Sequence, residues 1–493
     1  METSNDLKLP STQVDEAKRA PIQIMERDLK EYSAILRKVD WHIVPIMLAC
    51  YFLEFLDKVL INYADVMGLQ EDLGMTGNQF SLMATLFFVG FAVAEVPQGY
   101  LLQAFPLAKV LGFNLLCWGI LVACMAAAQT YGQILAIRIL LGACEAVISP
   151  ALVLITSTWY TKRCAAPRYG IWYCGLGVGQ IIGGLISFAA QHSPETGLSG
   201  WRIMMIVVGV FNICIAFVVI IFLPSTLESA KFLTEIEKES LRSMLVLDQA
   251  GNGLKVFKRE GLFEVFIDLQ VWLLSLLTIL TVIPSGVITT FSAILIKGFG
   301  YNSKQSALLN MPSGIVSIIA TCGSTYAVLK KTPRWISIII VIVPALIGAG
   351  LMSFLPQSNQ GGKLAGIYLL NTTVAPMALI YSWVGANTAG YTKKIGANAM
   401  IAVGFSIANI IGPQTFQAKD APKYTPATIT LFAVLGGALL VSGLLRLLYA
   451  YRNASTRRNR NEQLASEVVE SVITTEEQED LNDLKNPAFV YVY

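Results

Sequence analysis

CYFLEFLDKVLINYAD occupies residues 50–65 and decides how the rest of the chain is read. Around it runs an apolar stretch, residues 42–64, of the roughly 20 residues that a helix needs to cross a bilayer core about 30 Å thick. Inside it, Glu54, Asp57 and Lys58 fall within little more than one helical turn. At about 100° per residue they share an arc of roughly 100° on one face. A charge held at membrane depth costs about 2.5–3.5 kcal/mol on insertion scales, so such groups face protein or water and carry function. The stretch therefore reads as a membrane span with a charged face turned towards a polar interior.

Composition agrees. Of 493 residues, 54% are hydrophobic and 14% charged, with a mean hydropathy of +0.58, where soluble domains carry about 25% charged residues. The formal charge of +3 is too small to suggest a nucleic-acid partner. No zinc-finger spacing, GxxxxGK[ST] loop, HExxH or nucleophile–base constellation occurs, so neither enzyme chemistry nor a metal or other cofactor is expected. The eight cysteines are scattered without CxxC spacing and read as small buried hydrophobes. The polar first forty residues hold no apolar h-region, so no cleavable signal peptide is expected.

About twelve spans follow: 42–64, 79–103, 109–128, 132–158, 169–191, 201–223, 270–296, 305–328, 335–355, 364–388, 396–413 and 426–449. The domains then read as a cytosolic tail 1–41, a six-helix half 42–223, a cytosolic linker 224–268, a second six-helix half 269–450 and a disordered cytosolic tail 451–493. Orientation follows from Lys and Arg. Arg37, Lys38, Lys109, Lys162, Arg163, Arg168, the linker, Lys330, Lys331, Arg334, Lys393, Lys394 and the Arg446–Arg460 cluster fall on one side. Only Arg202, Lys297, Lys304, Lys363, Lys419 and Lys423 fall on the other. Both termini are expected in the cytosol. The fold class is an all-α membrane protein whose two six-helix halves resemble the major facilitator plan, with binding at the midplane between halves. A channel is the rival architecture, but no filter-like stretch occurs.

Charges inside spans are confined to the first half: Glu54, Asp57, Lys58, Glu95, Arg138 and Glu145. Arg138 and Glu145 are seven apart and lie within about 20° of each other on their helix, with Gly142 leaving room on the same side. When ionised, Asp57, Lys58, Arg138 and Glu145 sum to zero. An arriving carboxylate makes the group net negative, and in a low-dielectric site that favours proton uptake. Anion and proton then promote each other's binding, which is symport written as a coupling free energy. The alternative is a set of structural ion pairs between helices; Glu95, beside Pro97 and Gln98, is read that way, and Glu54 is left open.

Several stretches then identify a relationship. LDKVLINYA (56–64), RILLGACEA (138–146), LSGWRIMMIVVG (198–209), FLPSTLESAKFLTEIEK (222–238), NTAGYTKKIGANAM (387–400), IANIIGPQTFQAKDAPKY (407–424) and DLNDLKNPAFVYV (480–492) resemble the anion:cation symporter family of the major facilitator superfamily, in particular its fungal allantoate permease group. The resemblance implies that Asp57 and Glu145 carry protons, that Lys58 anchors the substrate anion and that Arg138 engages the anion or the coupling acids. The chain departs from many relatives in having Lys58 where they have Arg, which replaces a planar fork by a point charge. GYLLQAFPLAKVLG (99–112) lacks the DRxGRR character of many facilitators, and Gly179-Gln180 stands where drug–proton antiporters have Gly-Pro.

Gln180 and Asn409 are further candidate substrate contacts. Pro284, Ser285, Thr289 and Thr290 in the seventh span, and Asn371, Thr372, Pro376, Tyr381, Ser382, Trp383 and Asn387 in the tenth, belong to expected cavity helices, most of them as packing groups. His42 reads as an interfacial anchor. The sequons at Asn371 and Asn453 are not expected to be glycosylated. The expected function is proton-coupled uptake of a small organic anion (a ureide such as allantoate, a vitamin-like carboxylate or a small peptide) by a monomer in the plasma membrane. The alternatives are an exporter of an organic acid or fungal secondary metabolite, and a nutrient sensor that moves nothing.

Overall fold

The computed structural model describes residues 11–192, 197–250, 259–417, 419, 425–465, 483–484 and 489–493. Among them, eleven helices are long and apolar enough to cross a membrane. We number them span 2 (Gln79–Ala104), span 3 (Leu107–Met125), span 4 (Tyr131–Trp159), span 5 (Pro167–Ala190), span 6 (Gly200–Phe222), span 7 (Leu269–Gly298), span 8 (Ser303–Leu329), span 9 (Arg334–Phe354), span 10 (Gln360–Asn387), span 11 (Thr392–Gln414) and span 12 (Pro426–Arg458). Span 1 is the C-terminal part of one long helix, Ser11–Val66, and holds three charged residues, Glu54, Asp57 and Lys58.

The bundle has a linker face, where residues 224–250 and 259–268 lie, and an opposite far face. At the linker face Phe232 stacks on His42, with ring centroids 4.1 Å apart, and Lys38 pairs with Glu237. The linker is thereby fastened to the start of span 1, and His42 is a packing anchor.

Glycine allows the close approaches that bilayer packing needs. A Cβ at Gly142 of span 4 would run into the Phe87 carbonyl of span 2. Gly177 of span 5 and Gly314 of span 8 meet backbone to backbone, each facing the other's carbonyl oxygen, so the two halves touch along these spans. Closer to the far face the halves are stitched by hydrogen bonds. Asn62 Nδ2 and Asn310 Nδ2 each donate to Ser292 Oγ at 2.9 Å, Ala293 N donates to Asn62 Oδ1 at 3.1 Å, and Asn310 Nδ2 also reaches Tyr63 Oη at 3.2 Å. Ser81 Oγ donates to Phe416 O at 2.8 Å, beside a Phe80–Phe291–Phe416 ring stack. These bonds close the far side of the interface between halves.

The tail differs from expectation. Span 12 continues as helix to Ala465, and the described residues of segment 483–493 pack against the second half, with Asp483 and Tyr491 buried. Disorder was expected because the tail lacks apolar periodicity; its order comes from partners distant in sequence.

Candidate functional site

Span 1 turns its charged face inward, towards spans 4 and 5. Arg138 Nη1 lies 3.2 Å from Asp57 Oδ2, and the guanidinium stacks over Phe87 at 4.5 Å. Lys58 Nζ is shared: it lies 2.7 Å from Glu145 Oε1 and 2.8 Å from Glu54 Oε1. Ser149 Oγ, one turn beyond Glu145, is 3.3–3.4 Å from both Glu54 oxygens. Asp57, Arg138 and Glu145 are almost fully buried, and Lys58 keeps 11% of its side chain exposed. The helical spacing had placed Asp57 with Lys58 and Arg138 with Glu145; the fold brings the two pairs together and crosses them.

Glu54 changes the charge balance. Three carboxylates face two cations, so the fully ionised cluster carries one net negative charge. A buried charge without a partner costs several kcal/mol, and one bound proton removes it. Asp57 Oδ1, Arg138 Nε and Glu145 Oε2 have no hydrogen-bond partner among the described residues, so the cluster keeps polar capacity for a proton or a guest.

Around the cluster stand aromatic rings. The Tyr51 and Tyr173 rings lie 5.1 Å apart, and Phe91 is 5.7 Å from the Lys58 ammonium. Glu95, expected to pair between helices, is half-buried and has no ion-pair partner among the described residues. Gln180 is 1% exposed at the span 5–span 8 contact, and neither its amide oxygen nor its nitrogen has a partner among the described residues.

Asn409 sits apart from the charges. Its Nδ2 donates to Phe405 O of its own helix at 2.9 Å, and its oxygen faces Gly286 of span 7. Thr289 and Thr290 likewise bond back to Ser285 O and Gly286 O. In span 10, the turn Asn371–Val374 tightens to a 3-10 helix ahead of Pro376, and Ser317 Oγ donates to the Asn371 carbonyl at 3.3 Å. Trp383 and Asn387 face the tail segment instead of a cavity. Sequence reasoning missed Ser149, Tyr51, Tyr173, Asn62 and Asn310; polarity inside apolar spans was their only signal.

A profile described as Major Facilitator Superfamily matches residues 47–413. The chain belongs to the major facilitator superfamily. Within it the chain falls in the fungal allantoate permease-like group. It is 34% identical to the thiamine pathway transporter of Saccharomyces cerevisiae over 93% of this chain and 86% of that protein. It is 30% identical to the allantoate permease of the same yeast, over 98% and 90%. A high affinity cysteine transporter of that yeast is 27% identical over 94% and 91%. Among solved structures, the inward-facing bacterial homologue of the human lysosomal transporter Spinster superposes with a TM-score of 0.62 at 15% identity, covering 85% of this chain and 96% of that one. A D-xylose–proton symporter gives 0.60 at 12% identity, covering 82% and 97%. These two show the shared fold. As a member of the superfamily the chain is a multi-pass membrane protein and a secondary transporter of small organic substrates, as its three yeast relatives are named transporters or permeases.

Proposed function

We propose that this facilitator is a monomeric proton-coupled importer of a small organic anion in the plasma membrane, with its linker face and both termini in the cytosol. The observation that carries this reading is Lys58 held between two carboxylates, Glu54 and Glu145, beside the Asp57–Arg138 pair. Lys58 can offer its charge to a guest carboxylate only when one of its own carboxylates lets go, and that carboxylate stays buried at low cost only by taking a proton. Asp57 and Glu145 are the coupling acids, Lys58 and Arg138 meet the anion, and Gln180, with both amide atoms free, reads the neutral part of the substrate. Asn409 tunes the span 7–span 11 contact beside it.

A far face closed between the halves, with charged groups at depth, fits one stage of alternating access. The Lys and Arg asymmetry supports the orientation. An allantoate permease and a thiamine pathway transporter among the relatives support trying ureide carboxylates and vitamin-like substrates first.

The test is an uptake screen in proteoliposomes across organic acids, after a pH jump at clamped membrane potential. An inward-directed proton gradient is expected to drive accumulation of at least one carboxylate. Uptake that ignores pH for every accepted substrate would contradict the reading.

Glu54 competes with the substrate for Lys58. Glu54→Gln is expected to tighten anion binding by about tenfold, the worth of one charge-assisted hydrogen bond, and to flatten its dependence on pH. Net uptake should slow, because the empty carrier then returns with Lys58 less neutralised. Anion affinities of variant and parent, titrated from acid to neutral pH, check this.

A further inference from the structure

The tail motif around DLNDLKNPAFVYV has no place in the transport site, yet the fold builds a receptor for it. Asn453 pairs with both backbone groups of Tyr491: its oxygen accepts from Tyr491 N at 2.8 Å, and its nitrogen donates to Tyr491 O at 2.9 Å. Asn387 does the same for Val492, at 2.7 and 2.8 Å. Two side-chain amides thus act as a neighbouring strand would for an extended peptide. Trp383 Nε1 donates to Val492 O at 3.0 Å, and Arg334 N donates to Tyr493 O at 2.8 Å. Tyr491 stacks on Tyr449, and Arg446 lies over the Tyr493 ring at 4.0 Å.

Beneath this strand lies a buried ionic knot. Lys393, fully buried, is 2.8 Å from both Asp268 and Asp483, while Arg452 is 2.6 Å from Asp268. Gln270 Nε2 donates to Asp268, Asp483 and Asn387 O, and Tyr491 Oη donates to Asp483 at 2.9 Å. Without Asp483 the buried Lys393 keeps only Asp268 at 2.8 Å and Glu264 at 3.9 Å, and the knot loses one of its two close carboxylates.

The partners come from the linker-face ends of spans 7, 9, 10, 11 and 12: Asp268, Arg334, Asn387, Lys393 and Asn453. Among the described residues none comes from the first half. We propose that this face of the second half is a peptide-binding groove whose occupant is the chain's own residues 483–484 and 489–493, and that these docked residues are a strap tying five spans into one body. In alternating access by rocking halves, a half transmits motion only if its helices move together. The strap supplies that rigidity where the short 10–11 loop would otherwise be free; Asp483 Oδ1 accepts from Ala389 N in that loop at 3.3 Å.

Burial pushes the carboxyl of Asp268, just outside span 7, upward, but Arg452 and Lys393 hold it below the usual carboxylate range. A carboxyl lowered by folding contributes its full stability above its unfolded value and loses it as pH falls through the folded value, so Asp268 supports this face of the second half fully above about pH 5.

This inference rests on the transporter fold and not on the proton or anion assignment, so the experiment contains no substrate. Hydrogen–deuterium exchange is followed in the full-length protein and in the Asp483→Asn/Tyr491→Ala variant. Amides of residues 387–400 are expected to exchange at least about tenfold faster in the variant, with those of span 1 unchanged. Adding the synthetic peptide DLNDLKNPAFVYVY should restore protection to within about twofold of the parent. Unchanged exchange at 387–400, equal acceleration in span 1, or failure of the peptide to restore protection would each overturn the strap.

Discussion

Asp57→Asn and Glu145→Gln should each abolish accumulation against a gradient while leaving substrate exchange measurable. Both carboxylates are buried against a cation, Asp57 against Arg138 at 3.2 Å and Glu145 against Lys58 at 2.7 Å. The amide keeps the shape and some hydrogen bonding but removes a titrating site, so the carrier can load and unload without moving a proton. With one proton per monoanion, a gradient of one pH unit should concentrate substrate about tenfold in the parent and not at all in the variants, since each factor of ten is worth about 1.4 kcal/mol. The readout is the steady-state ratio of labelled substrate inside and outside proteoliposomes, beside counterflow at equal pH. Variants that concentrate substrate like the parent would remove these residues from coupling.

The next largest effect is expected from Lys58→Ala. Among the described residues the ammonium is the only cation between Glu54 and Glu145, and its removal leaves three carboxylates facing Arg138. An anion entering that site loses a charge-assisted hydrogen bond and meets unpaired negative charge. Together these are worth about 2–4 kcal/mol, or roughly 30- to 1,000-fold in affinity. Lys58→Arg restores charge with a planar fork and should recover binding to within about tenfold, with a changed order of preference among carboxylates. Substrate-induced thermal shifts measure both variants without requiring transport. An affinity for Lys58→Ala close to the parent's would take Lys58 out of the site.

How much of this was legible follows from the range of the interactions. Spans are written locally: a run of apolar residues must cross lipid whatever surrounds it. Most helices therefore begin and end near the expected limits; the span 1 helix, which starts at Ser11, and the span 12 helix, which continues to Ala465, run well past theirs. The charged faces were also legible, because Asp57 with Lys58 and Arg138 with Glu145 are set by helical spacing alone. Which acid meets which base depends on how spans 1 and 4 face each other, and periodicity does not encode that. For the same reason the role of Glu54 emerged only when its oxygen was found 2.8 Å from Lys58. Asn387 stands in the sequence on an expected cavity helix, among residues most of which read as packing groups; its partner, Val492, lies 105 residues away, where no local pattern points. The tail has the composition of a solvated segment, and its few aromatic residues gain partners only from the folded second half.

Proton uptake caused directly by anion binding tests the central claim most closely. Purified transporter in weakly buffered detergent solution, titrated with a carboxylate found in the uptake screen, should take up about one proton per monoanion bound. The alkaline shift should vanish in Glu145→Gln or Asp57→Asn under conditions where the variant still binds. Binding without proton uptake by the parent across the range from about pH 5 to 8 would contradict a shared site for anion and proton.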